Sequence, residues 1–337
     1  MTISYIKSQI NKRQQKRLPT NWREKNMALF VQTNVSSLNS QRNLTHATHA
    51  LDTTYQRLSS GLRINTAKDD AAGLQISNRL TNQINGLNQG NRNANDGIAL
   101  CQTMEGALEE TTNMLQRIRT LAIQAANGTL TTIDRKSVQD EIAALSAEIT
   151  RIACKTTFAG RQCIAGVDGA DHGGILDNSG KCSFQIGAYA FDTLSISMSK
   201  GFTLSAISGV PESEIGKKID VQNETGLWLN DETHHYEFNC YTQDNAQYTI
   251  KAIDGIINYV DSKRAELGAI QNRMESTIRN QETTAENVSD ARARIRDADY
   301  AEEASNLSAQ NIIQQASTTV LTQANQRPSI AMSLLNS

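Results

Sequence analysis

Both ends of this chain are long runs with apolar residues at three-then-four spacing, and almost nothing in them can stop a helix. Glycine is absent after Gly268, and the three prolines are Pro19, Pro211 and Pro328. Uninterrupted helices are therefore permitted on both sides of a glycine-rich middle. The proximal stripe is Leu44, Leu51, Tyr55, Leu58, Leu62. The distal one is Ile253, Ile257, Val260, Leu267, Met274, Ile278, Ala285, Val288, Ile295. Such spacing makes coiled-coil seams. Amides and small residues fill the faces between, so each helix needs partners for a narrow seam and can also pack against copies of its own chain. A helix of about fifty residues runs roughly 75 Å. The expected fold is mainly α: an antiparallel coiled-coil rod built from both termini, with a small β-rich lobe between them. Self-assembly is the leading reading.

The seam argument agrees with the composition. Apolar residues make up 38% of the 337 and aromatic residues only 5%, which is lean for a compact globule and ample for thin helical bundles. A net charge of −2 gives no reason to expect nucleic acid as a partner. No run of eighteen apolar residues exists, so no membrane span is expected. The first twenty-six residues are compositionally foreign. Lys7, Lys12, Arg13, Lys16, Arg17, Arg23 and Lys25 oppose Glu24, a local +6 that leaves −8 on the rest. The segment lacks the apolar stretch of a secretory signal. It reads as a disordered extension or a start placed upstream of Met27, with a basic docking tail as the other reading.

Helix boundaries are marked. The first arm, Val31 to about Ser60, ends at Gly61, and Gly61 to Gly73 reads as a structured link. Asp69 and Asp70 suit the start of the next helix, where a carboxylate caps free N–H groups. No histidine, nucleophile or pocket-forming sequence accompanies them, so an acid–base pair is not expected. The second helix is expected from about Leu74 to Ala126, stopped by Asn127-Gly128. Its inward residues are Leu80, Ile84, Leu87, Ala94, Ile98, Cys101, Leu108, Leu115, Ile118 and Ala122. A shorter helix marked by Val138, Ile142, Leu145, Ile149 and Ile152 folds back on it. Between Gly160 and about Thr242 alternation appears in Phe184, Ile186, Ala188, Ala190, Leu194, Ile196 and Met198, which is strand chemistry. The domains expected are a basic extension (1–26), an amino-terminal core helix and linker (27–72), rod segments (73–165 and 244–296), the β-rich outer lobe (166–243) and a carboxyl-terminal core helix (297–337).

Five cysteines, Cys101, Cys154, Cys163, Cys182 and Cys240, exclude complete intramolecular pairing. Cys101 shares the stripe of Ile98, Met104 and Leu108, as a small hydrophobe would. The other four could pair if the protein is exported. They form no CxxC, and His234 and His235 near Cys240 match no zinc template, so no metal is expected. No cofactor and no enzymatic activity are expected either.

Several segments together resemble bacterial flagellin. At the amino end these are MALFVQTNVSSLNSQRNL from Met27, LSSGLRINTAKDDAAGLQISNRL from Leu58 and NRNANDGIALCQTMEGAL from Asn91. At the carboxyl end RAELGAIQNRMESTIRN (Arg264 to Asn280), ENVSDARARIRDADYAEE (Glu286 to Glu303) and NIIQQASTTVLTQANQRPSIAMSLL (Asn311 to Leu335) are similar to the family's terminal helices. FQIGAYAFDTLSISM (Phe184 to Met198) is similar to its β-turn region. The resemblance implies a subunit of the helical flagellar filament, with terminal helices forming an inner tube and the helical rod the next shell. It also implies export as unfolded monomer through the flagellar type III apparatus, an export chaperone on the carboxyl-terminal helix, and meetings with filament cap and junction proteins. Expected polymerisation contacts are Leu44, Leu51, Leu58, Ile313, Val320, Leu334 and Leu335. QRIRTLAIQAANG (Gln116 to Gly128) is similar to the segment by which the vertebrate flagellin-sensing Toll-like receptor detects many flagellins, with Gln116, Arg117, Leu121 and Glu141 as the matching positions. Two features depart from the family: residues 1–26, and five cysteines where members are nearly cysteine-free.

Three rivals remain to be weighed. A hook–filament junction protein typically has proline after the paired aspartates, where Ala71 stands here. A metalloprotease-bearing flagellin would show HExxH on a helix, which is missing. A coiled-coil adaptor or secreted effector leaves the quoted motifs unexplained. A minor, specialised flagellin fits the departures.

Overall fold

The computed structural model describes residues 33–165, 174–177, 179–198, 200–208, 227–229 and 236–335, with side chains described to residue 329. The basic extension, His234 and His235 lie outside the described residues, as do the side chains of Leu334 and Leu335. Among the described residues six helices and six short strands run in the order α1 (Val35–Ser60), α2 (Ala71–Ala125), α3 (Thr132–Lys155), β1 (Thr157–Phe158), β2 (Arg161–Gln162), β3 (Lys181–Gln185), β4 (Thr193–Ser197), α4 (Leu204–Ser208), β5 (Leu227–Leu229), β6 (Tyr236–Phe238), α5 (Gln243–Arg296) and α6 (Tyr300–Leu335). The strands form three two-stranded antiparallel sheets, β1–β2, β3–β4 and β5–β6. The fold is mainly α with small sheets in the middle.

Chain contacts divide the molecule into two units, residues 1–74 with 296–337, and residues 75–295. In the first, α1 and α6 lie antiparallel. Gly61 ends α1 in the left-handed conformation (φ 70°), donating its N–H to the Arg57 carbonyl at 2.8 Å, a geometry that glycine adopts without Cβ strain. The chain between α1 and α2 is stitched to the α5–α6 break: Arg63 N–H donates to the Arg296 carbonyl (2.6 Å) and Ala298 N–H to the Gly61 carbonyl (3.0 Å). Ile64 is buried in this link, a core position that helical spacing does not mark.

The paired aspartates divide their labour. Asp70 Oδ1 accepts from Gly73 N–H (2.9 Å) and caps α2. Asp69 Oδ2 instead accepts from the N–H groups of Asn65 and Thr66 and from the Thr66 hydroxyl, and those bonds to Thr66 hold its carboxyl below the ordinary value. Asp69 thus shapes the link, and Asp70 alone starts the helix. The α5–α6 break is capped likewise, Asp299 Oδ1 accepting from Ala301 N–H at 2.8 Å.

In the second unit α2, α3 and α5 enclose one core: Leu100, Cys101, Met104, Leu108, Leu115 and Ile118 from α2, Ile142 and Ile149 from α3, Ile253, Val260, Leu267 and Met274 from α5. All but two of the inward residues expected for α2 are buried, Leu80 and Ile98 being partly exposed. A capping box opens α3, where Thr131 and Asp134 exchange side-chain and backbone bonds. That exchange holds the Asp134 carboxyl below its ordinary value. The β3–β4 hairpin lies on the same core through Leu194, Ile196 and Met198. It comes close enough to α2 that a Cβ at Gly90 would collide with the Ile186 carbonyl, and one at Gly86 would press on Ala188.

Candidate assembly interface

The α1–α6 pair is held together mostly by polar groups. Asn34, the N-cap of α1, donates to the Ala324 carbonyl (2.6 Å), and Ser37 Oγ donates to Asn325 Oδ1 (2.7 Å). Arg57 meets Glu303 at 2.9 Å, with the carboxylate side chain only 8% exposed. Among the described residues of these two helices the buried apolar ones are Ala47, Leu51 and Ala324, accompanied by Ser40, Thr54 and Glu303. The pair leaves several large apolar side chains outside. Ile312 (64%), Ile313 (46%) and Val320 (54%) are exposed on α6, and Val35, Leu38 and Tyr55 on α1. Apolar surface of this kind, spread along two narrow helices, is what a further helix would cover.

The expected contact residues therefore separate. Ile313 and Val320 stand free, Leu44 and Leu58 are partly exposed, and Leu51 is buried inside the pair. Tyr55, placed on the inward stripe by spacing, is exposed, and the polar Thr54 takes the inner position, its hydroxyl satisfied by the Ala50 carbonyl. A hydroxyl that bonds its own helix can be buried at little cost, a substitution that hydropathy does not reveal.

On the second unit Gln116, Arg117 and Glu141 are exposed, with Arg117 joined to Glu141 at 2.6 Å. Leu121 differs: it is 4% exposed and belongs to the core, so it supports that face from beneath. The neighbouring Arg119 pairs with Asp254 of α5 at 2.6 Å.

The described residues offer little to chemistry. No group of three or more potential metal ligands occurs among them. A concavity of about 370 Å³ lined by Ile76, Arg79, Leu80, Asn82, Gln83, Ala188 and Tyr189 brings together no acid–base pair. Among the described residues no helix is long and apolar enough to cross a membrane.

Paired terminal helices with uncovered apolar faces, joined to a three-helix core, define a self-assembling structural protein. The flagellin amino-terminal helical region matches residues 31–168, and the flagellin carboxyl-terminal helical region matches residues 250–335. Polar flagellin F of Vibrio parahaemolyticus is 37% identical, with 92% of this chain covering all of that protein. Flagellin C of Vibrio cholerae is 38% identical over the same shares. Among solved structures, a Bacillus cereus flagellin is 25% identical over 56% of this chain and 88% of its own, with a TM-score of 0.42. The chain belongs to the bacterial flagellins. It is a structural subunit of the flagellar filament, an extracellular polymer that serves motility, and it is not an enzyme.

Proposed function

We propose that polymerisation runs through the outer faces of α1 and α6, with Ile313, Val320, Leu44 and Leu58 as contacts between copies, joined by Leu334 and Leu335 at the carboxyl end. The observation carrying this is the exposure of large apolar side chains on a pair whose own seam is polar and thin. Burying one large aliphatic side chain contributes about 1.5–3 kcal/mol, and the gain recurs at every subunit of a filament. On this reading residues 27–72 and 297–337 form the filament core, 73–165 and 244–296 the surrounding rod, and 166–243 the outer lobe. Replacing Ile313 or Val320 by Asp is expected to stop seeded filament growth while leaving the thermal melt of the second unit unchanged. Normal-length filaments from either variant would overturn the assignment.

Two further partners fit the same reading. Export as unfolded monomer through the flagellar type III apparatus, with a chaperone on α6, is supported by the thin α1–α6 seam, which leaves α6 available before assembly; filament cap and junction proteins would meet the same faces. Detection by the vertebrate flagellin-sensing Toll-like receptor is supported by the exposed Gln116, Arg117 and Glu141. An Arg117→Ala variant should lower signalling in receptor-bearing reporter cells without altering filament assembly, and an unchanged response would remove this partner.

A further inference from the structure

The β3–β4 hairpin presents Cys182, Phe184 and Ile186 from one strand to the core, alternating with Lys181, Ser183 and Gln185. The strand lies along α2 in an order that can be followed residue by residue. Ala188 sits at Gly86, the Ile186 carbonyl at Gly90, the Gln185 carbonyl accepts from Asn93 Nδ2 at 2.8 Å, and the Phe184 ring leans over Gly97. From Ile186 at Gly90 to Phe184 at Gly97 the strand advances two residues, about 6.6–6.8 Å, and the helix seven, about 10.5 Å, so the strand crosses α2 obliquely while moving toward its carboxyl end. The next inward residue of β3, Cys182, therefore lies beyond Gly97 on the side of Cys101, packed against the core cluster that includes Cys101. Both cysteines are free thiols, Cys101 fully buried and Cys182 half-buried.

We infer that Cys101 and Cys182 are an oxidation site, the pair that closes into an intramolecular disulfide tying the hairpin to α2 when a low-molecular-weight disulfide is present. The more accessible Cys182 thiolate attacks the small disulfide and expels one small thiolate, leaving Cys182 in a mixed disulfide. The Cys101 thiolate then attacks the Cys182 sulfur and expels the second. Two protein thiols lose their protons and two electrons, and the oxidant is reduced to two small thiols. The electrostatics support this pairing. Burial pushes the Cys101 thiol up to about 11, and negative charge on Cys182 and on Glu105 acts in the same direction. Because thiolate is the attacking species, the closing step is slow near neutrality and should accelerate about tenfold per pH unit well below that value. No other cysteine is set over α2 by this register.

The test uses the full chain, native, as purified monomer and as sheared filament, incubated with oxidised glutathione and mapped by non-reducing peptide mass spectrometry. The expected product is a Cys101–Cys182 linked peptide pair, about 2 Da lighter than the two thiol peptides together, forming faster at higher pH. Cys182→Ser, at a half-buried position, should abolish the link and leave Cys101 a free thiol. Oxidation in denaturant should scatter the pairing among the five cysteines. Persistent glutathione on Cys182 beside a free Cys101 thiol would overturn the proposal. So would preferential linkage of either residue to Cys154, Cys163, Cys240 or a second copy.

Discussion

At the scale of single residues, the glycines of the long helices divide by what a methyl group would meet. At Gly90 an added Cβ would lie 2.0 Å from the Ile186 carbonyl oxygen, backbone that cannot swing aside. At Gly255 and Gly268 it would meet nothing within 4 Å. Alanine exceeds glycine in helix propensity by about 0.8–1 kcal/mol, whereas overpacking costs about 1–3 kcal/mol. Gly90→Ala is therefore expected to lower the denaturant midpoint, and Gly255→Ala or Gly268→Ala to raise it. A stabilising Gly90→Ala would show that the hairpin does not rest on α2 as described. The thiols sort by environment in the same way. Cys163 and Cys240, though in the glycine-rich middle, are as buried as Cys101, and burial pushes each up to about 11. A place in the glycine-rich middle therefore does not by itself make a thiol more accessible than Cys101. Timed alkylation under native conditions should label Cys154 and Cys182 first.

Elements were legible wherever their signals were local. The ends of α1 and α2 follow from Gly61, Asp70 and the Asn127-Gly128 stop, and the inward faces of α2 and α5 from three-four spacing. Positions set by distant chain were not legible: Ile64 buried in a link, Tyr55 turned outward, Leu121 drawn into the core. The seat of the hairpin left a trace, because Gly86, Gly90 and Gly97 within one helical pattern are costly unless another chain segment approaches closely. For α3, the local signal carries a pH dependence. The folded carboxyl of Asp134 titrates below its ordinary 3.8 because Thr131 bonds the charged form. A depressed folded value means the contribution is fully present above 3.8 and is lost as pH falls through the folded value. Amide protection in the first turn of α3 should therefore decline as pH falls below about 4 in the parent and be nearly flat in Asp134→Ala. Equal acid sensitivity in both proteins would assign the effect elsewhere.

Over the whole molecule, the two units differ in what they can sustain alone. The second has a core drawn from three helices and a hairpin. Among the described residues, the first offers α1 and α6 only Ala47, Leu51 and Ala324 as buried apolar residues. Ordering the backbone costs about 1–2 kcal/mol at each residue, and helical hydrogen bonds return little net stability in water. The Arg57–Glu303 pair adds specificity more than free energy, since the desolvation of a largely buried carboxylate offsets much of the attraction. Terminal helices that bury so little should order only when neighbouring copies cover Ile312, Ile313 and Val320. Hydrogen exchange on verified monomer should show weak protection across residues 35–60 and 300–329, against strong protection in α2, α3 and α5. In assembled filaments the same terminal amides should become protected. Strong protection of both terminal helices in monomer would mean that the pair is self-sufficient, and the assembly faces would then have to be sought on the second unit.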